Sequence, residues 1–94
     1  MAVAIVMQFE GGTLDQYDRV IEKMGLSPGE PLPPGGVFHW VTKTDDGIQV
    51  IDVWETREQF DKFAQEQIGP ISAEEGMSPP DLAFHDVHNH LAAV

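Results

Sequence analysis

VFHWVTKTDDGIQVIDVWETREQFDKF, residues 37–63, contains the strongest signals of secondary structure in this chain. Its first eight residues have the alternating pattern of a strand, and residues 48–54 return as a second strand. Asp46-Gly47 between them predicts a tight turn. Thr56 then caps an amphipathic helix that carries Phe60 and Phe63. The pattern predicts a β-hairpin that leads directly into a helix.

A two-residue type I′ turn at Asp46-Gly47 would set the pairing of this hairpin. Counting outward places His39 opposite Trp54 and puts Asp52 on the same face. A three-residue loop would instead pair Trp40 with Asp52 and separate these side chains. With the two-residue turn, the other face carries an apolar layer of Phe38, Trp40, Ile51 and Val53.

The N-terminal third predicts a strand and a helix. Both alternating faces of residues 3–9 are largely apolar, which predicts a central strand covered on both sides. Thr13-Leu14-Asp15-Gln16 is a capping box, so a helix should run from about Leu14 to Met24. Tyr17 lies on its buried stripe, where it is either an ordinary core tyrosine or a proton donor in a cavity. Four glycines and four prolines between residues 25 and 36 then predict an irregular loop.

The C-terminal third predicts a second helix and a closing strand. Thr56 opens the helix, and Phe60 and other apolar residues follow at helical spacing. Gly69-Pro70 should interrupt it, and a resumption for about one turn over residues 71–75 is left open, before Gly76 and Pro79-Pro80 end the helix. Residues 82–91 are interpreted as the last strand.

Three histidines in the closing segment, His85, His88 and His90, resemble a metal cluster. On a strand, however, His85 would point away from the other two, so we predict no dedicated metal site.

The predicted order is β-α-β-β-α-β within a single domain, residues 1–94. This is the α+β, ferredoxin-like arrangement, a four-stranded antiparallel sheet with two helices on one face. The opposite face of the sheet would remain apolar and uncovered in so short a chain. We therefore expect a homodimer in which the two sheets pack together.

Charge and composition exclude several classes of function. Sixteen acidic residues against five basic ones disfavour nucleic-acid and anionic-membrane partners. The absence of cysteine excludes thiolate nucleophiles and disulfides. The N-terminal apolar segment is too short to span a membrane and lacks the features of a signal peptide, so the expected location is the cytoplasm.

The element order, together with Val50-Ile-Asp-Val-Trp-Glu-Thr-Arg-Glu-Gln-Phe-Asp-Lys-Phe63, resembles the dimeric α+β barrel superfamily, and in particular the small antibiotic-biosynthesis-monooxygenase-like domains. The resemblance implies a homodimeric barrel with a pocket between sheet and helices in each subunit. Activities in this superfamily include cofactor-free oxygenation, haem degradation, isomerisation and ligand binding. Haem-degrading members of the superfamily use a histidine on a helix as the iron ligand, together with an asparagine on the first strand. The predicted helices here contain no histidine and the predicted first strand contains no asparagine, so the resemblance does not imply haem degradation.

Two function classes follow. The first is a cofactor-independent, monooxygenase-like enzyme acting on an apolar aromatic ligand, with His39 as base and Asp52 as its orienting carboxylate. The ligand-binding residues would be Tyr17, Trp40, Trp54 and Phe60. The second class is a non-catalytic dimeric barrel that binds a small molecule or serves as an accessory subunit. A cavity of about 300 Å³ or more opening onto His39 would favour the first class, and a filled core the second.

Overall fold

A computed structural model describes residues 1–91 and has the predicted order of elements. The four strands are β1 (Val3–Glu10), β2 (Gly36–Thr44), β3 (Gly47–Trp54) and β4 (Asp81–Asp86). They form one antiparallel sheet in the order β2-β3-β1-β4. The helices are α1 (Leu14–Lys23), α2 (Arg57–Phe63) and α3 (Gly69–Glu74). The ferredoxin-like α+β prediction is confirmed.

The hairpin between β2 and β3 turns one residue earlier than predicted. Thr44 pairs with Gly47, so the two loop residues are Asp45 and Asp46. His39 consequently lies directly opposite Asp52, and the predicted pairing of His39 with Trp54 is wrong. The displacement of two residues in pairing leaves every side chain on its predicted face.

Gly47 explains the earlier turn. Glu10, the last residue of β1, pairs with Gly47, and a Cβ atom on Gly47 would overlap the Phe9 carbonyl oxygen. The glycine is therefore required for close approach of β1 to β3. The Gly11 amide donates to the Asp46 carbonyl at 2.7 Å and ties the turn to the end of β1.

The core lies between the sheet and the helices. Alternate residues of β1 are buried there, together with alternate residues of β3 and one residue each from α1 and α2: Val3, Ile5, Met7, Phe9, Ile48, Val50, Trp54, Val20 and Phe60. The opposite face of the sheet is more exposed. On it, Phe38 is 57% exposed and Trp40 41%. The described chain thus covers one face of the sheet and leaves an apolar layer on the other.

Both predicted helix starts are present. The Thr13 side chain accepts a hydrogen bond from the backbone N–H of Gln16, and the Gln16 side chain accepts one from the backbone N–H of Thr13. These two hydrogen bonds complete the capping box. α1 ends at Lys23, with Met24 as its C-cap, as predicted. The Thr56 side chain accepts from the Gln59 amide at the start of α2.

The predicted interruption at Gly69-Pro70 is wrong, because helical structure continues from residue 57 to residue 74. A π-helical turn, Ala64–Ile68, joins α2 to α3. In it the Gly69 amide donates to the Ala64 carbonyl, one residue further back than in an α-helix. Pro70 has no amide hydrogen, and the wider turn before it lets the helix continue without one.

The closing strand is shorter than predicted and ends at Asp86. His85 pairs with Ala4 on the open face, whereas His88 and His90 follow the strand. Within residues 1–91, no three histidine, cysteine or acidic side chains come together as a metal site. In the same range no helix is long and apolar enough to cross a bilayer.

We predict that the histidine-rich end is not a structural metal site. Both helix starts are capped and the core is apolar, so the chain should fold without metal. Thermal unfolding of metal-loaded protein should stay cooperative, with the same midpoint, after a chelator is added. A transition that disappears with chelator would contradict this prediction.

Candidate functional site

Four side chains form a continuous chain of hydrogen bonds between α1 and the hairpin. The Tyr17 hydroxyl contacts Nε2 of His39 in a short hydrogen bond. Nδ1 of His39 lies 2.5 Å from Oδ1 of Asp52, and Nε1 of Trp54 donates to Oδ2 of Asp52 at 3.1 Å. This chain brings together both predicted catalytic residues and two of the predicted ligand-binding residues.

Local structure explains why these groups meet. His39 and Asp52 are directly opposite each other on β2 and β3, and Trp54 follows two residues later on the same face. Tyr17 lies in the first turns of α1, whose position is fixed by the Thr13 cap. The Tyr17 and His39 rings are within 8° of parallel. Strand register and helix capping therefore position the site independently of any ligand.

The hydrogen-bond pattern indicates which group donates and which accepts in each pair. Asp52 is 2% exposed and accepts on both oxygens, from the indole N–H and from Nδ1–H of His39. Nε2 of His39 then has a free lone pair and accepts from the Tyr17 hydroxyl. Burial raises the pKa of Tyr17 to about 12, with smaller contributions from the negative charges of Asp52 and Asp18. Tyr17 is therefore a neutral phenol at physiological pH.

The elevated pKa of Tyr17 can be measured directly, because this is the only tyrosine in the sequence. Phenolate absorbance of the folded protein should titrate with a midpoint near 12, against the ordinary value of 10.0 in denaturant. The stability that Tyr17 contributes should be complete below pH 10 and lost as the pH rises through 12. A folded-state midpoint at 10 would show that the hydroxyl is not buried against His39.

A small cavity, called here the inner cavity, lies between the sheet and the helices beside this chain of hydrogen bonds. Its volume is about 50 Å³, and its wall is almost entirely apolar. Tyr17, His39 and Asp52 line it at one place, and Ile68 of the π-helical turn and Ser72 of α3 line it elsewhere. This volume is well below the roughly 300 Å³ expected of a site for a polycyclic ligand. The inner cavity does not meet the size criterion set from the sequence.

A much larger surface groove, called here the outer groove, borders the same pair of side chains. It has a volume of about 890 Å³ and lies between α1, β2 and the loop of residues 26–32. Tyr17 and His39 line it, together with apolar residues and with Asp18, Glu22 and Glu30. Space of ligand size therefore does open onto His39, but on the outer side of the Tyr17–His39 pair.

The remaining predicted ligand-binding residues lie elsewhere. Trp54 and Phe60 are each 1% exposed and pack edge to face in the core, and neither lines the inner cavity or the outer groove. Trp40 borders the outer groove, although its side chain belongs to the open face of the sheet. Trp54 thus acts on the site through Asp52.

The sequence interpretation missed the contribution of the loop after α1. Ile21 of α1 and the loop residues Leu26 and Leu32 line both the inner cavity and the outer groove. A signal was present, because these two leucines are the large apolar residues in a segment otherwise rich in glycine and proline. Apolar side chains in such a loop need a surface to pack against.

Comparison with known proteins places this geometry in a known fold. No family model matches the sequence, and no curated protein matches it significantly. Among solved structures, SnoaB from Streptomyces nogalater, a cofactor-independent oxygenase, superposes with a TM-score of 0.63 at 19% identity, over 98% of each chain. A candidate antibiotic biosynthesis monooxygenase from Deinococcus radiodurans gives 0.56 at 6% identity, over 100% of this chain and 99% of that one.

A third structure contains a ligand. The monooxygenase ActVA-Orf6 of Streptomyces coelicolor, in complex with nanaomycin D, matches with a TM-score of 0.51 at 21% identity, over 99% of this chain and 92% of that one. These identities are low, but the superpositions extend over nearly the whole of each chain. The protein has the fold of the antibiotic biosynthesis monooxygenases.

Proposed function

We propose that this protein is a cofactor-independent oxygenase that acts on a hydroxylated aromatic ligand bound in the outer groove. The observation that supports this most strongly is the Tyr17–His39–Asp52 chain of hydrogen bonds beside a groove of ligand size. Solved neighbours named as cofactor-independent oxygenase and as monooxygenase share the fold. A phenolic or enolic ligand must lose a proton before it can pass electrons to oxygen, and this chain of groups can accept that proton.

In this proposal Tyr17 has an intermediate role in proton transfer. Both ring nitrogens of His39 are occupied, Nδ1 by Asp52 and Nε2 by Tyr17. A ligand hydroxyl that donates to the Tyr17 oxygen can lose its proton while Tyr17 passes its own proton to Nε2. The products are a ligand phenolate, a neutral tyrosine and an imidazolium held by the Asp52 carboxylate. Asp52 stabilises this imidazolium, because the charges are opposite and the carboxylate lies in hydrogen-bond contact with the ring.

The oxygen chemistry then balances without another reductant. The phenolate carbon forms a C–O bond to O2 and supplies the electron pair, and the resulting peroxide anion recovers a proton from the imidazolium. Loss of water, which breaks the O–O bond and the remaining C–H bond at that carbon, leaves a carbonyl group. One oxygen atom enters the product and the other leaves as water.

Charge around the outer groove limits the ligand. Asp18, Glu22 and Glu30 border it, and the whole chain carries a formal net charge of −11. Like charges repel most strongly where water is partly excluded. We expect a ligand that is neutral when it binds and that becomes an anion only after transfer of its proton.

The experiment that tests this function uses a panel of hydroxylated polycyclic compounds. Affinity and oxygen uptake are measured for each compound with the unchanged protein and with His39→Ala. We expect uptake that requires both ligand and His39. Unchanged ligand binding and oxygen uptake in His39→Ala would remove this residue from the site.

The second candidate function is ligand binding without turnover. The small size of the inner cavity favours it, as does the fact that both nitrogens of His39 already have partners. The same groove would then bind an aromatic ligand, with Tyr17 as a hydrogen-bonding partner. Tight binding with no oxygen uptake across the panel would favour this alternative.

A homodimer is part of the proposal. The open face of the sheet carries Phe38 and Trp40, which are 57% and 41% exposed, with Ile51 and Val53 beside them. A second copy would bury these side chains, with an expected total interface on the order of 2,000 Å².

We predict that light scattering at micromolar concentration will return twice the 10.4 kDa chain mass. Trp40→Glu should shift the protein towards monomer, because a carboxylate buried at such an interface would have no partner. Lys43→Glu, which also places a carboxylate on β2 but at an exposed residue, is the control. A monomeric unchanged protein would contradict the dimer.

A further inference from the structure

The inner cavity is the one described space that the proposed function has not used. It lies in the core among residues from three strands and three helices, and no organic ligand of the proposed class fits into it. We infer that the inner cavity binds molecular oxygen, the second substrate of the proposed oxygenase. The biological purpose of oxygen binding rests on the proposed function. Oxygen binding itself depends only on the size and polarity of the inner cavity.

The volume of the inner cavity suits a diatomic molecule. Its 50 Å³ exceed the space that one water molecule needs, about 10–15 Å³ on the same basis. They fall far short of the roughly 300 Å³ of a typical organic-ligand site. A small gas molecule is therefore the class of occupant that the cavity can accept without rearrangement.

The polarity of the wall favours a gas over water. A buried water needs about two to four polar partners. The polar side chains in the described wall are Tyr17, His39, Asp52 and Ser72, and the first three are hydrogen-bonded to one another. Ser72 has no hydrogen bond to the other three, and almost none of the exposed surface of the wall is polar. Apolar cavities of this kind stay dry and take up apolar molecules such as xenon.

The position of the inner cavity suits the reaction. Five residues line both the inner cavity and the outer groove: Tyr17, Ile21, Leu26, Leu32 and His39. Oxygen held inside would be separated from a ring in the outer groove by the layer of side chains that receives the ligand proton. The phenolate would thus form at the boundary next to the stored oxygen.

Oxygen binding can be measured without turnover. Dissolved O2 is paramagnetic, so at raised oxygen pressure it should broaden the side-chain methyl NMR signals of Val20 and Val50, which line the cavity. Nitrogen at the same pressure is the reference, and Val3 is the internal control, since it is equally buried but does not line the cavity. Equal broadening at Val3, Val20 and Val50 would overturn the inference.

A cavity-filling variant tests the same site. Val50→Ile adds one methylene towards the inner cavity, Val20→Ile does so from α1, and Val3→Ile adds the same group elsewhere in the core. We expect the oxygen-induced broadening of the remaining wall methyl groups to be lost in the first two variants and kept in the third. Thermal unfolding of all three checks that each is folded.

Kinetics then separate the inference from the proposed function. Val50→Ile should raise the KM for oxygen severalfold and leave the affinity for the aromatic ligand unchanged. Weaker ligand binding with an unchanged KM for oxygen would assign the cavity to the organic ligand and overturn the inference. If no compound supports oxygen uptake, the proposed function fails, while the NMR measurement still decides whether the cavity binds oxygen.

Discussion

Replacing His39 with glutamine is expected to lower kcat for oxygen uptake by about 10²–10⁴-fold, the usual contribution of general-base catalysis. Glutamine can still hydrogen-bond to Tyr17 and Asp52, but it cannot accept the proton that Tyr17 passes on. The effect should fall on kcat, because the outer groove that binds the ligand is otherwise unchanged. Steady-state oxygen consumption at saturating ligand is the measurement.

Two further variants locate the proton path. Tyr17→Phe removes the hydroxyl between ligand and imidazole and should also lower kcat, whereas a ligand that contacts His39 directly would be processed normally. Asp52→Asn keeps the shape of the site but removes the charge that stabilises the imidazolium. A kcat for His39→Gln within a factor of about two of the unchanged protein would exclude His39 as the base.

Replacing Trp54 with alanine is expected to destabilise the fold by about 3–5 kcal/mol, the range for removing a large aromatic side chain from a core. Trp54 is 1% exposed, packs against Phe60 and Phe63, and donates to the buried Asp52 carboxylate. The alanine variant leaves a cavity and also leaves Oδ2 of Asp52 without its donor.

Trp54→Phe separates these two effects. Phenylalanine fills most of the space but supplies no N–H, so its expected cost is about 1–3 kcal/mol, mainly from the unpaired carboxylate oxygen. Leu14→Ala, at an exposed position of α1, is the control and should change stability by no more than about 0.5 kcal/mol. Denaturant unfolding at fixed protein concentration gives all three values. A cost below about 1 kcal/mol for Trp54→Ala would show that the indole is not part of the core.

The fold was predictable because its signals are local and agree with one another. Alternation in residues 37–54 and the two Thr-x-x-Gln caps determine the elements, and their order then restricts the topology to very few choices. The exact hairpin register was not predictable from Asp46-Gly47. That glycine is required by the approach of β1, which is a long-range contact.

The candidate site was predictable only in part. Side chains alternate between the two faces of a strand, which predicts His39, Asp52 and Trp54 on the same face of the sheet. An error of two residues in the pairing does not move a side chain to the other face. The hydrogen bond from Tyr17 to His39 depends on how α1 packs on the sheet, and sequence periodicity does not contain that information. The outer groove likewise depends on the path of residues 26–32, a glycine- and proline-rich loop with no periodic pattern to interpret.

In the proposed reaction the Tyr17–His39–Asp52 chain removes a proton from a phenolic ligand before oxygen reacts. The most direct test mixes protein and ligand without oxygen and follows the absorbance of the bound ligand. We predict that the phenolate spectrum will appear with the unchanged protein and will be absent with His39→Gln at equal ligand occupancy. A bound ligand that stays protonated in the unchanged protein, or that ionises equally in His39→Gln, would contradict the account.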